Sequence, residues 1–385
     1  MMLQTTKQWY NSHQNKILAL IIGFGLALFG LHWQSQPLIE WFFLPPIGLI
    51  ISAIGIYKVL NKSKIQFGSR LVWIPLLVII VSIVLSGLIN NVGLSSKLFA
   101  VVFAGYLLGV YLVALKLGRD MLFGLMPVSI MVACSIIFEG ITIPGIQTGG
   151  IMMDDASIGF IILGISCYKF KYQWLVVSFG IIALFLSGVL EAAFTGLVIF
   201  IAINIKRNWN KKTLLPIAIF VFMTLLWQLL GYFQPLWLDK VNVQSTASVV
   251  TGDAPLTGNS MDKMTTNRWS IITQRMKIIT PLGHGFWVTM PDKSLGGRYL
   301  DTGEYRYDGI NQEPVANVPL VIVDQIGILA ALSWTFVSLY CLRKSRWSYA
   351  WLAILALCVF DHYIWTQFAP IWWAVAGITL HEKIL

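Results

Sequence analysis

Arg268 and Arg275 lie seven residues apart in the stretch RWSIITQRMKIITPLGHGF, a spacing that puts them on one face of a helix. A guanidinium fork meets phosphate bidentately, so such a pair suits an anionic phosphate group. Trp269, Ile272, Met276 and Ile279 recur at helical spacing on another face. Thr266 or Asn267 can cap the start, and Pro281 and Gly283 stop the helix. Two readings stand. In one, an amphipathic helix lies on a membrane surface with its arginines among lipid headgroups. In the other, the arginines hold a substrate phosphate. Gly283-x-Gly285 is no dinucleotide fingerprint, because no strand precedes it and no helix pattern follows.

The remaining groups capable of chemistry are acids and histidines. Asp324 lies about ten residues into an apolar segment between Pro319 and Gly327. A carboxylate at that depth faces a cavity or a partner, unless the span begins later and the group is interfacial. Pro319 is expected to break the helix there. Asp154 and Asp155 in GGIMMDDASIG read either as a helix N-terminus or as a polar pocket orienting a sugar or an attacking hydroxyl. Glu191 lies near a tight turn, as a solvated cap or a cavity acid. His284 and His362 are interface residues or general bases, and Asp361 would orient His362. Tyr299, Tyr305 and Tyr307 are loop packing or a sugar-stacking set. No metal-ligand cluster of convincing spacing is present, and Cys134, Cys167, Cys341 and Cys358 read as small residues of apolar spans.

These groups need elements to hold them. The chain is 57% hydrophobic and 11% charged, against about 25% charged in soluble domains. Ile17–Ile39, Leu71–Ser96, Met121–Phe138 and Tyr172–Leu190 contain no charge. Each can cross a hydrocarbon core of about 30 Å. The fold class expected is all-α, a polytopic membrane bundle of about twelve helices, each of roughly 20 residues. The spans fall near 17–36, 38–58, 71–90, 97–117, 121–139, 150–168, 172–188, 189–205, 213–233, 315–342, 347–360 and 363–380. The division is then 1–233, a transmembrane bundle; 234–313, one large loop containing the amphipathic helix; and 314–385, the last spans. The first span is expected to be retained, since no small-residue cleavage site follows it.

The net charge of +10 would suit nucleic acid, but the cations cluster in short loops between spans, so no nucleic-acid partner is expected. Lys58, Lys62, Lys64, Arg70, Lys116, Arg119, Lys169, Lys171, Lys206, Arg207, Lys211, Lys212, Arg343, Lys344 and Arg346 fall in alternate loops. The positive-inside rule puts these loops and both termini in the cytoplasm. The short loops of the other set carry only Lys97, and the long loop emerges with them on the outer side.

The outer loop holds R-W-x(8)-I-x-x-P-x-G-x-G, returns as P-V-A-N-V-P-L-V-I-V-D-Q-I-G-I, and the last spans hold F-D-H-Y-I-W-T. Together these resemble the O-antigen ligase/polymerase family of bacterial membrane glycosyltransferases, over about 120 C-terminal residues. The resemblance implies an undecaprenyl-diphosphate-linked glycan as donor at the outer leaflet of the cytoplasmic membrane. It implies a glycan or lipid acceptor, inversion at the anomeric carbon, and no metal or other cofactor. Arg268 matches the family's loop arginine, Asn317 its asparagine and Asp324 its acid; Arg275 is a helper by spacing. Two departures stand out. Ala316 replaces the family's histidine, and Gly188 follows Ser187 where an arginine is usual. The base would then be His362 with Asp361, or His284, or a carboxylate such as Glu191. A transporter or flippase, and a noncatalytic binder of lipid-linked glycan, are the competing expectations.

Overall fold

A computed structural model describes residues 2–31, 44–61, 67–91, 94–125, 279–286, 298–299, 305–306, 317–344, 351, 354–355, 358, 365 and 369–381. These are helical apart from short connections and one two-residue antiparallel pairing. The helices are α1 (Met2–Leu31), α2 (Leu44–Leu60), α3 (Arg70–Asn90), α4 (Leu94–Leu117), α5 (Val318–Ile326), α6 (Ile328–Lys344) and α7 (Ala369–His381). The strands β1 (Arg298–Tyr299) and β2 (Tyr305–Arg306) pair Arg298 with Arg306 and Tyr299 with Tyr305.

Two helical runs are long and apolar enough to cross a membrane, Arg70–Asn90 and Ser96–Leu125. The second includes the 3-10 turn Gly118–Asp120. α3 shows why lipid suits this exterior. Val72, Leu76, Ile79 and Ile83 are buried, while Leu71, Ile74, Leu77, Val81, Leu85 and Leu88 face outward. A helix apolar on every side belongs either in a large core or in a bilayer, and one side of α3 has no core to enter. α2 and α6 likewise turn Ile47, Ile50, Ile54, Ile328, Leu329, Leu332 and Phe336 outward.

Inside, small and polar residues hold the helices together, as in membrane bundles. α1 packs on α2 so closely that a Cβ on Gly25 would fall 2.5 Å from the Gly48 carbonyl oxygen. Ser52 bonds the Gly48 carbonyl at 2.7 Å and the Tyr106 hydroxyl at 2.8 Å. α7 is buried from Ala369 to Leu380 against α4 and α6. Trp372 donates to Ser338 Oγ and Trp351 to Thr379 Oγ1, each at 3.0 Å.

The bundle has two unlike ends. At one, Lys116 Nζ donates to the Val59 carbonyl, Tyr111 donates to the Phe67 carbonyl at 3.1 Å, and His381 Nδ1 bonds the Leu115 carbonyl at 2.7 Å. The end of α2, the start of α3 and the ends of α4 and α7 thus converge, bringing Lys58, Arg70, Lys116 and Arg119 together. α6 starts at the far end and runs back along α3, which carries Arg343 and Lys344 to the same basic end.

Three expectations change. α1 starts at Met2, well before the apolar run, because no Gly or Pro interrupts the chain until Gly23. The segment expected as one span, 315–342, is two helices, and the break falls at Gly327 rather than at Pro319. Pro319 occupies the first turn of α5, where its missing N–H costs nothing. Ile279, assigned to the apolar face of the amphipathic helix, lies in irregular backbone just ahead of Pro281, which disfavours helix before it. The spans and loop between 126 and 278 lie outside the described residues.

Candidate functional site

The end opposite the cations is built where α5 stops short. Gly327 takes φ 93°, a left-handed value that suits glycine, and its N–H closes onto the Ile322 and Val323 carbonyls. The carbonyls of Asp324 and Gln325 are left without partners inside the helix. A turn within the long loop supplies them. His284 N–H donates to the Asp324 carbonyl at 2.7 Å, and Gly285 N–H to the Gln325 carbonyl at 3.1 Å. Ser86 of α3 donates to that same Gln325 carbonyl at 2.6 Å.

The P-L-G-H-G sequence explains the close docking. Gly283 N–H returns to the Thr280 carbonyl at 3.1 Å, with Pro281 at the second turn position, where its fixed φ fits. Gly283 has φ 69°, and a Cβ there would lie 2.2 Å from the Gln325 carbonyl carbon. A Cβ on Gly327 would lie 2.0 Å from the Pro281 oxygen. Two backbones touch here, and only hydrogen side chains let them. Gly283, expected only to stop a helix, is one surface of this contact, and Gly327 is the other.

α3 and α4 fix the rest of the turn. Asn90 Nδ2 donates to the Gly283 carbonyl and Asn91 Nδ2 to the Phe286 carbonyl, both at 3.0 Å. Phe286 stacks on Phe103 of α4 at 5.7 Å and meets Trp365 edge-on at 6.1 Å. Trp365 Nε1 donates to Gln325 Oε1 at 2.8 Å. Gln325, adjacent to Asp324, therefore bonds three elements through two oxygens.

One consequence is chemical. His284 Nδ1 meets Asp324 Oδ1 at 3.1 Å, and the two side chains are 11% and 10% exposed. With Asp324 ionised, the carboxylate only accepts, and the contact then puts a ring proton on Nδ1. A neutral ring then presents its lone pair at Nε2. Asp324 is thus buried against a partner. It lies level with Ser86 and Asn90 in the last turn of α3, near the bundle's end and not at its middle.

Of the other residues singled out in the sequence, Asn317 caps α5: its Oδ1 accepts from Leu320 N–H at 3.1 Å. Tyr299 and Tyr305 are register partners of the short ribbon. Arg268, Arg275, Asp154, Asp155, Glu191, Tyr307, Asp361 and His362 lie outside the described residues. Ser86, Asn90, Asn91, Gln325 and Trp365 were not singled out. The Asn-Asn doublet closing an apolar run, and a Gln beside the Asp of α5, were the available signals.

The described residues thus form a helical bundle with an apolar exterior and a His–Asp pair at the end away from Lys58, Arg70, Lys116 and Arg119. No family model and no curated protein matches the sequence.

Proposed function

We propose that this protein is a bacterial membrane glycosyltransferase of the O-antigen ligase/polymerase type, a multi-pass protein of about twelve spans. It would move a glycan from an undecaprenyl-diphosphate carrier to an acceptor hydroxyl at the outer face of the cytoplasmic membrane. The contact between His284 and Asp324 carries the reading. It joins the two segments on which the sequence resemblance rests, the P-x-G-x-G turn and the helix bearing the acid. It also does so at the bundle end remote from Lys58, Arg70, Lys116 and Arg119, which under the positive-inside rule is the outer end.

In the reaction proposed, the acceptor oxygen attacks the anomeric carbon from the face opposite the diphosphate. The carbon–oxygen bond to the diphosphate breaks, and its electron pair leaves with the lipid carrier. Arg268, which precedes the docked turn in the sequence, would neutralise that developing charge. Arg275, Asp154 and Asp155 would complete donor and sugar contacts. A transporter would place its ionisable groups and helix break near the bilayer midplane. The break at Gly327 lies near one end, which favours the enzyme.

The test is glycan profiling of a deletion strain complemented with wild type or Arg268→Ala. Lost long chains mark a polymerase, and carrier-linked chains that build up mark a ligase. Arg268→Ala should insert normally and fail to restore the glycan. Normal glycans in the deletion strain would reject the proposal, and full complementation by Arg268→Ala would reject the arginine's role.

A further inference from the structure

We infer that His284 is the base that takes the proton from the acceptor hydroxyl, with Asp324 as its positioning residue; this rests on the glycosyl-transfer reading above. The sequence left this role open between His284, His362 and a carboxylate, and among the described residues His284 is the one whose surroundings support it. Asp324 holds the ring from two directions, through its carbonyl to the His284 N–H at 2.7 Å and through Oδ1 to Nδ1 at 3.1 Å. That fixes the backbone of the histidine and, with Asp324 ionised, sets its tautomer. Nε2 has no hydrogen bond to any described residue, and the side chain keeps 11% of its surface exposed. The ring is thus held at Nδ1.

The mount is rigid. The glycines on either side of His284 are locked by Asn90, Gln325 and the turn's own bonds, which fixes the backbone, while the contact with Asp324 Oδ1 holds the imidazole. The side chains bonded to this turn and to Gln325 include Ser86, Asn90, Asn91 and Trp365, none of which titrates near neutrality. Asp324 is the acidic group in direct contact with the ring. A base needs a fixed lone pair within reach of the hydroxyl and a partner for the charge it gains, and this pair supplies both.

The balance is simple. The acceptor O–H proton passes to Nε2 as its oxygen bonds the anomeric carbon, and the electron pair of the broken bond leaves on the diphosphate. The imidazolium so formed is stabilised by Asp324 and returns its proton to water or to the released carrier. Glycan transfer would then be lost without a histidine at 284 even though the donor still binds.

The test uses the full chain in phosphatidylglycerol–phosphatidylethanolamine vesicles. Undecaprenyl diphosphate is the binding probe, and the lipid-linked glycan fraction extracted from the deletion strain is the donor. His284→Gln keeps an N–H toward Asp324 but cannot take a proton. It should lower kcat by about a hundredfold or more, with affinity for undecaprenyl diphosphate unchanged within about twofold. Asp324→Asn should lower kcat while leaving the donor KM in place, and Asp324→Glu should recover part of the loss. Wild-type kcat in His284→Gln would overturn the assignment. So would a loss of carrier binding in step with rate, which would mark packing rather than proton transfer. Wild-type protein that neither binds the carrier nor transfers glycan would instead remove the glycosyl-transfer reading itself, and the base with it.

Discussion

Gly283→Ala is the sharpest probe of how this site is held together. The added methyl would lie 2.2 Å from the Gln325 carbonyl carbon, 2.3 Å from its oxygen and 2.4 Å from Ile326 N. All three atoms are backbone, so no side chain can rotate away. The residue must also hold φ 69°, which costs an alanine about 1–2 kcal/mol. The turn therefore lifts off. It then loses the His284–Asp324 and Gly285–Gln325 backbone bonds and the Asn90–Gly283 bond. At about 1 kcal/mol each, those three bonds bring the total to about 4–5 kcal/mol. Hydrogen exchange on the detergent-solubilised protein reads this directly. Protection of the His284 and Gly285 amides should fall by about a thousandfold, at 1.4 kcal/mol per decade. Gly105→Ala is the control, since a Cβ there meets nothing within 4 Å. Equal protection in Gly283→Ala and Gly105→Ala would refute the docked turn and, with it, the fixed histidine.

Two further perturbations separate the parts. Asn317→Ala removes the cap of α5 and should cost about 1 kcal/mol by thermal unfolding, while Asn317→Ser should restore most of it; a loss of transfer with unchanged stability would instead give Asn317 a role with substrate. Gly48→Val drives a side chain into the Gly25 backbone, 2.5 Å away, and should lower stability by about 1–3 kcal/mol as α1 and α2 separate, with melting compared against Gly105→Ala.

The apolar runs determined a great deal of the architecture. α3 was expected at 71–90 and is Arg70–Asn90, and α4 was expected at 97–117 and is Leu94–Leu117. A charge-free run of that length has few alternatives, because any helix there exposes only hydrocarbon. The alternation of lysines and arginines was equally legible: Lys58, Arg70, Lys116 and Arg119 gather at one end of the bundle, and Lys97 lies at the other. Where the signal was a single residue, the sequence said less. Pro319 and Gly327 both mark a break, and only the chain's path shows that proline starts a helix here and glycine ends one.

The site shows the same division. The sequence by itself determined that His284 and Asp324 are unusual: one sits between two glycines, the other is a carboxylate in an apolar helix. It could not determine that they meet, being 40 residues apart. Their meeting depends on carbonyls at the end of α5 that have no partner within the helix and on N–H groups in a glycine-flanked turn, which satisfy one another only when brought together in space. Local composition dictates how long a helix is and which surface it offers to lipid. Which polar groups end up face to face is decided by the need to pair every buried backbone donor and acceptor, and that is a property of the assembled bundle.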